Sequence, residues 1–331
     1  MQLDSSAVPF GLNTFNHAWD RLNEWKPWKD FTYQNLMAMY SEVLNARWER
    51  PLPASMLSGV ECQIRDERSM DHYLVKFIWP SVNGALDQAC RILNWGSDTM
   101  LLGPGTWARG GEYYVPDWAL VSLPDRVTRG NLISYLPGDT KLSAKWQPFM
   151  TSSGEERDKE QWTLPLSQIC AYAKEANCRY GFLVTDETLV VLRFSKERIG
   201  EGLAAGRPRR TVVPQSHRRI PSEETVVSSH TATTSSSIGA QSFNAEDPAH
   251  NINLEFNPPE FATIPMSSSG NDQLTYKFAL FCLCLMASGG RGGIGYDYPP
   301  LNSWVRGQRG FRNNTSNLET RGLPINAILD D

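Results

Sequence analysis

The sequence predicts an α/β fold, and three observations carry that expectation. Tyr113–Leu123 and Leu132–Leu142 are rich in aromatic and β-branched residues, and Pro124-Asp125 through Arg129-Gly130-Asn131 separates them with turn chemistry, so the pair reads as a β-hairpin. Helical spacing precedes the hairpin from Ser69 to about Leu93 and follows it from Leu166 to Asn177. A second hairpin comes next, Tyr180–Val184 and Thr188–Phe194, turning at Asp186-Glu187.

Residues 1–66 read as a helical extension. Leu36, Tyr40, Val43 and Leu44 carry its helical pattern, with Thr32 or Asp30 as the cap. In 67–199, the helical run through Tyr73, Leu74, Phe77, Ile78, Val82, Leu86, Ala89 and Ile92 contains Pro80, which breaks or kinks it into one bent helix or two short ones. Asp98–Leu102 is a short strand, Gly103-Pro104-Gly105 a turn, and Glu155–Glu160 a charged, solvated loop. Pro137-Gly138 inside the hairpin predicts a bulge or an edge position, because Pro removes a ladder donor and Gly marks a kink.

Residues 200–251 turn to Ser, Thr, Pro and Arg with almost no aromatics, which predicts a disordered insertion. Its basic clusters, Arg207-Pro208-Arg209-Arg210 and His217-Arg218-Arg219, suit a nuclear import signal, phosphate contacts or a solvated linker. Structure resumes over 252–290, with a strand at Glu260–Met266 and a helix from Gln273 to about Ala287 capped by Asn271 or Asp272. The 291–331 tail places Arg306, Arg309 and Arg312 among Trp304 and Phe311. That pattern suits single-stranded nucleic acid or a flexible tail packed by a few aromatics.

With 331 residues and 40% hydrophobic content, eleven of the residues Trp, the chain can bury a full core. Its net charge of −4 gives no global steering toward DNA, so a nucleic-acid partner depends on local basic patches. The start lacks the pattern of a secretory signal, and the longest apolar run, Phe278–Ala287, is too short for a bilayer. Six cysteines without a signal suggest free thiols in a reducing compartment: an intracellular protein, nuclear or cytoplasmic, without a membrane. Scattered histidines give no support to a zinc site or a serine triad, and the sequence has no phosphate-cradling loop of the ATPase kind.

The candidate chemistry sits on the first hairpin. Successive strand side chains alternate, so Asp139 and Lys141 share one face while Thr140 points away, and Asp117 on the facing strand brings a second carboxylate. Two carboxylates and a main-chain carbonyl are a sufficient protein share for Mg²⁺, and a metal site of this kind suits phosphodiester hydrolysis. The plainer reading is a salt bridge across the hairpin. An acid-x-Lys triplet arises about once by chance in such a chain, and Glu24-Trp25-Lys26 is a second instance lacking an upstream Pro-Asp.

Pro116-Asp117 followed by Asp139-Thr140-Lys141 resembles the PD-(D/E)XK nuclease superfamily, and the wider wording, Pro-Asp-Trp-Ala and Leu-Pro-Gly-Asp-Thr-Lys-Leu-Ser with Trp146 behind, resembles a group of uncharacterised fungal proteins. The order helix, three strands, helix, strand is that of the superfamily core. Gln168 and Tyr172, four apart on the following helix, are similar to the Gln-x-x-x-Tyr of its RecB-like branch. The resemblance implies a restriction-endonuclease-like core, with a mixed central sheet flanked by helices, and a Mg²⁺- (or Mn²⁺-) dependent nuclease acting on DNA. Asp117, Asp139 and the Thr140 carbonyl would hold the metal, Lys141 would orient the attacking water, and Gln168 and Tyr172 would support substrate. The branch also implies a helix acid in the metal shell, for which Asp71 is preferred over Glu67 and Glu42. The alternative is a catalytically weak protein on the same scaffold that acts by binding nucleic acid or a protein.

Overall fold

A computed structural model describes residues 3–6, 13, 19, 22, 24–52, 56, 58–95, 100–108, 115–126, 132–197, 256–289 and 293–330. The expected 200–251 insertion, Tyr113 and Tyr114, the turn at 127–131, and Asp98, Thr99 and Arg291 lie outside them.

The described chain is mixed α/β, with a mixed central sheet flanked by helices. In chain order the elements are β1 (Lys26–Pro27), α1 (Tyr33–Met39), α2 (Ser41–Leu44), α3 (Glu67–Tyr73), α4 (Trp79–Ile92), β2 (Met100–Pro104), β3 (Trp118–Arg126) and β4 (Leu132–Thr140). Then come α5 (Glu156–Glu175), β5 (Tyr180–Val184), β6 (Thr188–Arg193), β7 (Glu260–Pro265) and α6 (Tyr276–Gly289). Among the described residues seven strands form one sheet in the order β1-β7-β6-β5-β4-β3-β2. β2, β3 and β4 form an antiparallel meander, α5 carries the chain across to β5 parallel to β4, and β5, β6 and β7 are again antiparallel. A tight hairpin cannot join parallel neighbours, so the 20-residue α5 is the crossover that β4 and β5 need.

Period-two alternation assigns the strand side chains to two layers. Phe182, Val184, Leu189 and Val191 face the main core with Leu86 of α4 and Leu280 and Leu283 of α6, while Leu183, Val190 and Leu192 face Leu166, Ile169 and Ala173 of α5. Nearly all of α6 is buried, as its apolar run predicts. The N-terminal segment is built into the same core and is no appendage. Leu36, Met39, Tyr40 and Val43 join the main cluster, and β1 adds to the sheet parallel to β7. Thr32 is the cap of α1, its side chain accepting from Asn35 N–H.

The helical run is interrupted at Pro80, as expected, into α3 and α4. Pro80 sits in the first turn of α4, where a missing N–H costs little, and the preceding Leu74–Ile78 widens to a π-turn in which Trp79 N–H bonds the Leu74 carbonyl. The segment expected as a charged loop at 155–160 is the start of α5. Glu156 and Asp158 in its first turn suit the positive end of the helix dipole, and the helix continues through Pro165. α6 opens three residues later than expected, with Thr275 Oγ1 accepting from Phe278 N–H in place of an Asn271 or Asp272 cap. The tail forms a second sheet of β8 (Ser303–Arg306), β9 (Phe311–Asn313), β10 (Glu319–Thr320) and β11 (Ile328–Leu329), in the order β10-β9-β8-β11, with Trp304 fully buried.

Pro137-Gly138 lies neither at an edge nor at a bulge. β4 is interior to the sheet, Ala119 pairs Pro137 and Trp118 pairs Gly138, and the register shifts lie farther along, on either side of Val121. Gly138 is required by close approach: a β-carbon there would overlap the Phe182 ring. Gly138→Ala is therefore expected to destabilise the protein by about 1–3 kcal/mol through overpacking, read as a lower denaturant midpoint at unchanged m-value.

Candidate functional site

The β3–β4 register fixes the site. Trp118 pairs with Gly138, so Asp117, one residue earlier, comes level with the last residues of β4. Its Oδ2 accepts from Thr140 N–H at 2.9 Å. Trp118 is held in turn by an edge-on contact with Trp79, ring centroids 5.0 Å apart, and its indole N–H donates to Thr140 Oγ1 at 2.7 Å. Asp139, on the α5 side of the sheet, is 1% exposed. Its Oδ2 accepts from the Lys141 ammonium, which also donates to the Thr140 carbonyl at 3.1 Å. From α5, Gln168 Nε2 lies 3.4 Å from Asp139 Oδ1 and donates to Tyr172 Oη, so the i,i+4 pair points at β4.

Asp71 and Glu67, one turn apart on α3, approach the same strand end. Asp71 is bonded by Thr140, and Glu67 accepts from Lys145 at 3.0 Å. Glu42 is exposed in the first turn of α2. Asp117, Asp139, Thr140, Lys141, Gln168, Tyr172 and Asp71 are thus brought to one end of β4, at the carboxyl end of the parallel β4–β5 pair.

The electrostatics follow from two carboxylates sharing one buried ammonium. Burial opposes charge on Lys141, but Asp139, with Asp117 and Glu67 behind it, outweighs that and raises its pKa, so the ammonium stays protonated. Burial lifts the Asp139 carboxyl well above the ordinary range; Lys141 opposes the rise and Asp117 adds to it. Asp71 is pushed up to about 6, first by burial, with Asp117 and Glu67 adding to it and Thr140 and Lys141 opposing.

This donor set fits a hard divalent cation. Asp71 Oδ1 and Gln168 Oε1 are shut from solvent without a hydrogen-bond partner, so acceptor oxygens outnumber donors, and the Lys141 ammonium already bridges a carboxylate and a carbonyl as a cation would. Among the described residues no three Asp, Glu, His or Cys side chains form a metal cage by themselves. An ion held here would need main-chain oxygen, water or substrate for the rest of its shell. Asp71 borders Thr140, whose side chain faces the layer opposite Asp139, which accounts for the open arrangement.

The Asp71 shift has a signed consequence for stability. Its folded pKa, about 6, lies above the ordinary value of 3.8, so ionisation costs stability as pH rises through that interval, and the cost is complete above it. Asparagine mimics the protonated acid. In chelator, Asp71→Asn is expected to raise the Tm at pH 8 and leave it unchanged or lower at pH 4, as read by calorimetry.

Two partners escaped sequence reasoning. Trp118 orients Thr140, the middle residue of the Asp-x-Lys triplet, and Lys145 holds Glu67. The only sequence signal for Lys145 is its position four residues after Lys141. No described helix is long and apolar enough to cross a membrane. No protein-family model, curated protein or solved structure matches this chain.

Proposed function

We propose that the chain is a metal-dependent nuclease that hydrolyses DNA phosphodiester bonds, on a restriction-endonuclease-like core of the PD-(D/E)XK kind. The observation that carries this reading is the convergence of Asp117, Asp139 and Lys141 at the end of β4, with Asp71 and Gln168 contributing unpartnered buried oxygens. The element order supports it as well: a helix, three meandering strands, a crossover helix and a strand parallel to the third.

Asp117, Asp139 and the Thr140 carbonyl would hold Mg²⁺ or Mn²⁺, with water or substrate supplying the rest of the shell. The chemistry such an ion supplies when bound is stabilisation of charge on the phosphate and a lowered pKa of the attacking water. Lys141 is protonated, so it acts as a hydrogen-bond donor and positive charge toward water and phosphate, and a role as general base is disfavoured. Gln168 steadies Asp139 through its amide N–H, and its free Oε1 is available to accept from substrate or water. Tyr172 has its hydroxyl pKa raised, by burial first and then by Asp139, so it stays a neutral partner of Gln168.

A second reading is favoured by one observation, the depth of the Asp139–Lys141 ion pair, both partners being buried. On that reading the scaffold binds nucleic acid without cutting it. The deciding experiment incubates the purified chain with labelled duplex DNA in Mg²⁺, in Mn²⁺ and in chelator. Cleavage that needs the metal and disappears in Asp139→Asn establishes the nuclease, whereas metal-independent binding without cleavage establishes the binder.

A further inference from the structure

The small C-terminal sheet carries a charge opposite to that of the whole chain. Residues 303–322 contain four arginines, Arg306, Arg309, Arg312 and Arg321, against one acid, Glu319, a local charge of +3 in a chain of net −4. All four arginines are exposed, and among the described residues none of them forms an ion pair.

Their placement is fixed by an ordered ribbon. β8 and β9 pair antiparallel with Arg306 opposite Phe311 and Val305 opposite Arg312, so Arg306 and Arg312 leave on opposite faces. The turn between them closes with Gly307 N–H bonded to the Gly310 carbonyl at 2.9 Å and projects Arg309. Gly310, at φ 152°, lets β10 approach closely: a β-carbon there would overlap the Thr320 carbonyl and lie 3.1 Å from Arg321 Cα. The backbone at Arg321 therefore lies against the turn that carries Arg309, with Arg306 and Arg312 on the strands that flank that turn and Glu319 opposite Arg312 as the one acid among them. The base of the ribbon is anchored to the main body, where Leu301 N–H donates to Asp30 Oδ2 at 2.6 Å and Leu301 and Trp304 are buried.

We propose that the tip of this ribbon is a contact surface for the phosphate backbone of duplex DNA, a deepening that rests on the DNA reading above. Guanidinium forks match phosphate oxygens, and arginines leaving both faces of a ribbon reach phosphates on either side of a groove. The ribbon offers no indole for stacking single-stranded bases: Trp304, the larger of the two aromatics in residues 303–322, is 1% exposed and belongs to the base of the sheet.

The test is binding of the full chain to a labelled duplex in chelator, titrated with salt, for the wild type and for Arg306→Gln/Arg309→Gln/Arg312→Gln/Arg321→Gln. Every arginine–phosphate pair that the substitutions remove reduces the slope of log K against log salt by about 0.9, so the variant is expected to lose about 2–4 in slope and at least about tenfold in affinity. An unchanged slope, or no binding by the wild type, overturns the proposal, as does an effect seen only with single-stranded DNA. Should the fourfold variant unfold by circular dichroism, the single charge reversal Arg309→Glu at the turn gives the same readout. Cleavage separates the two readings: arginine-dependent binding without metal-dependent cleavage leaves this surface standing and removes the nuclease, and the converse result removes the surface alone.

Discussion

Asp139→Asn is expected to lower metal-dependent DNA cleavage by about a thousandfold or more, with substrate affinity in chelator nearly unchanged. The substitution removes an oxygen charge that would face the metal and the anchor that aims Lys141, and several kcal/mol of transition-state stabilisation translates to about two to four powers of ten in rate. Asparagine keeps the volume and can still accept from Gln168, and circular dichroism of the variant checks that the fold is retained despite the lost partner of Lys141. Burst and steady-state rates across Mg²⁺ concentration give the readout, and activity within about tenfold of the wild type would remove Asp139 from the mechanism.

Lys141→Met is expected to have the largest effect on stability, about 3–5 kcal/mol at neutral pH, because it leaves the Asp139 carboxyl buried with Asp117 beside it and no cation. The sign with pH follows from the raised Asp139 pKa. The folded protein holds that proton at pH values where the unfolded chain has released it, so the penalty grows as pH rises above the ordinary carboxylate range and shrinks toward about pH 4. Asp139→Asn/Lys141→Met removes both charges and is expected to recover most of the stability. A chemical-denaturation cycle over the four proteins measures the coupling directly. Additive single effects would show that the pair contributes no interaction energy.

Much of the sheet was legible because its strands are written locally. Both hairpins have β-rich runs with turn residues between them, and Thr32 marks the start of α1 on the chain itself. The errors come from effects that the chain shows only at long range. Glu155–Glu160 looks like solvent-exposed loop because it is solvent-exposed, yet it is helical, continuous with Trp162 and Leu166 packing on the far side of the sheet. β8 to β11 run two to four residues each, too short for period-two patterning, and what holds them is the burial of Leu301 and Trp304 against distant residues. In the site, spacing alone placed Asp139 and Lys141 together. Choosing among Asp71, Glu67 and Glu42 required the packing of α3 on β4, and the Trp118–Thr140 bond depends on a register that no short motif encodes.

The pairing of β1 with β7 joins Lys26 to Glu260, partners that ribosomes make far apart in time. At about 5–20 residues per second, the early strand waits on the order of ten to fifty seconds for its neighbour. For the last part of that interval, about seventy residues or on the order of four to fourteen seconds, β6, the strand β7 will later cover, presents an open edge rich in Leu and Val. A nascent chain halted before residue 260 thus displays a sticky, unfinished border, and holding it apart from other such chains is work for a chaperone.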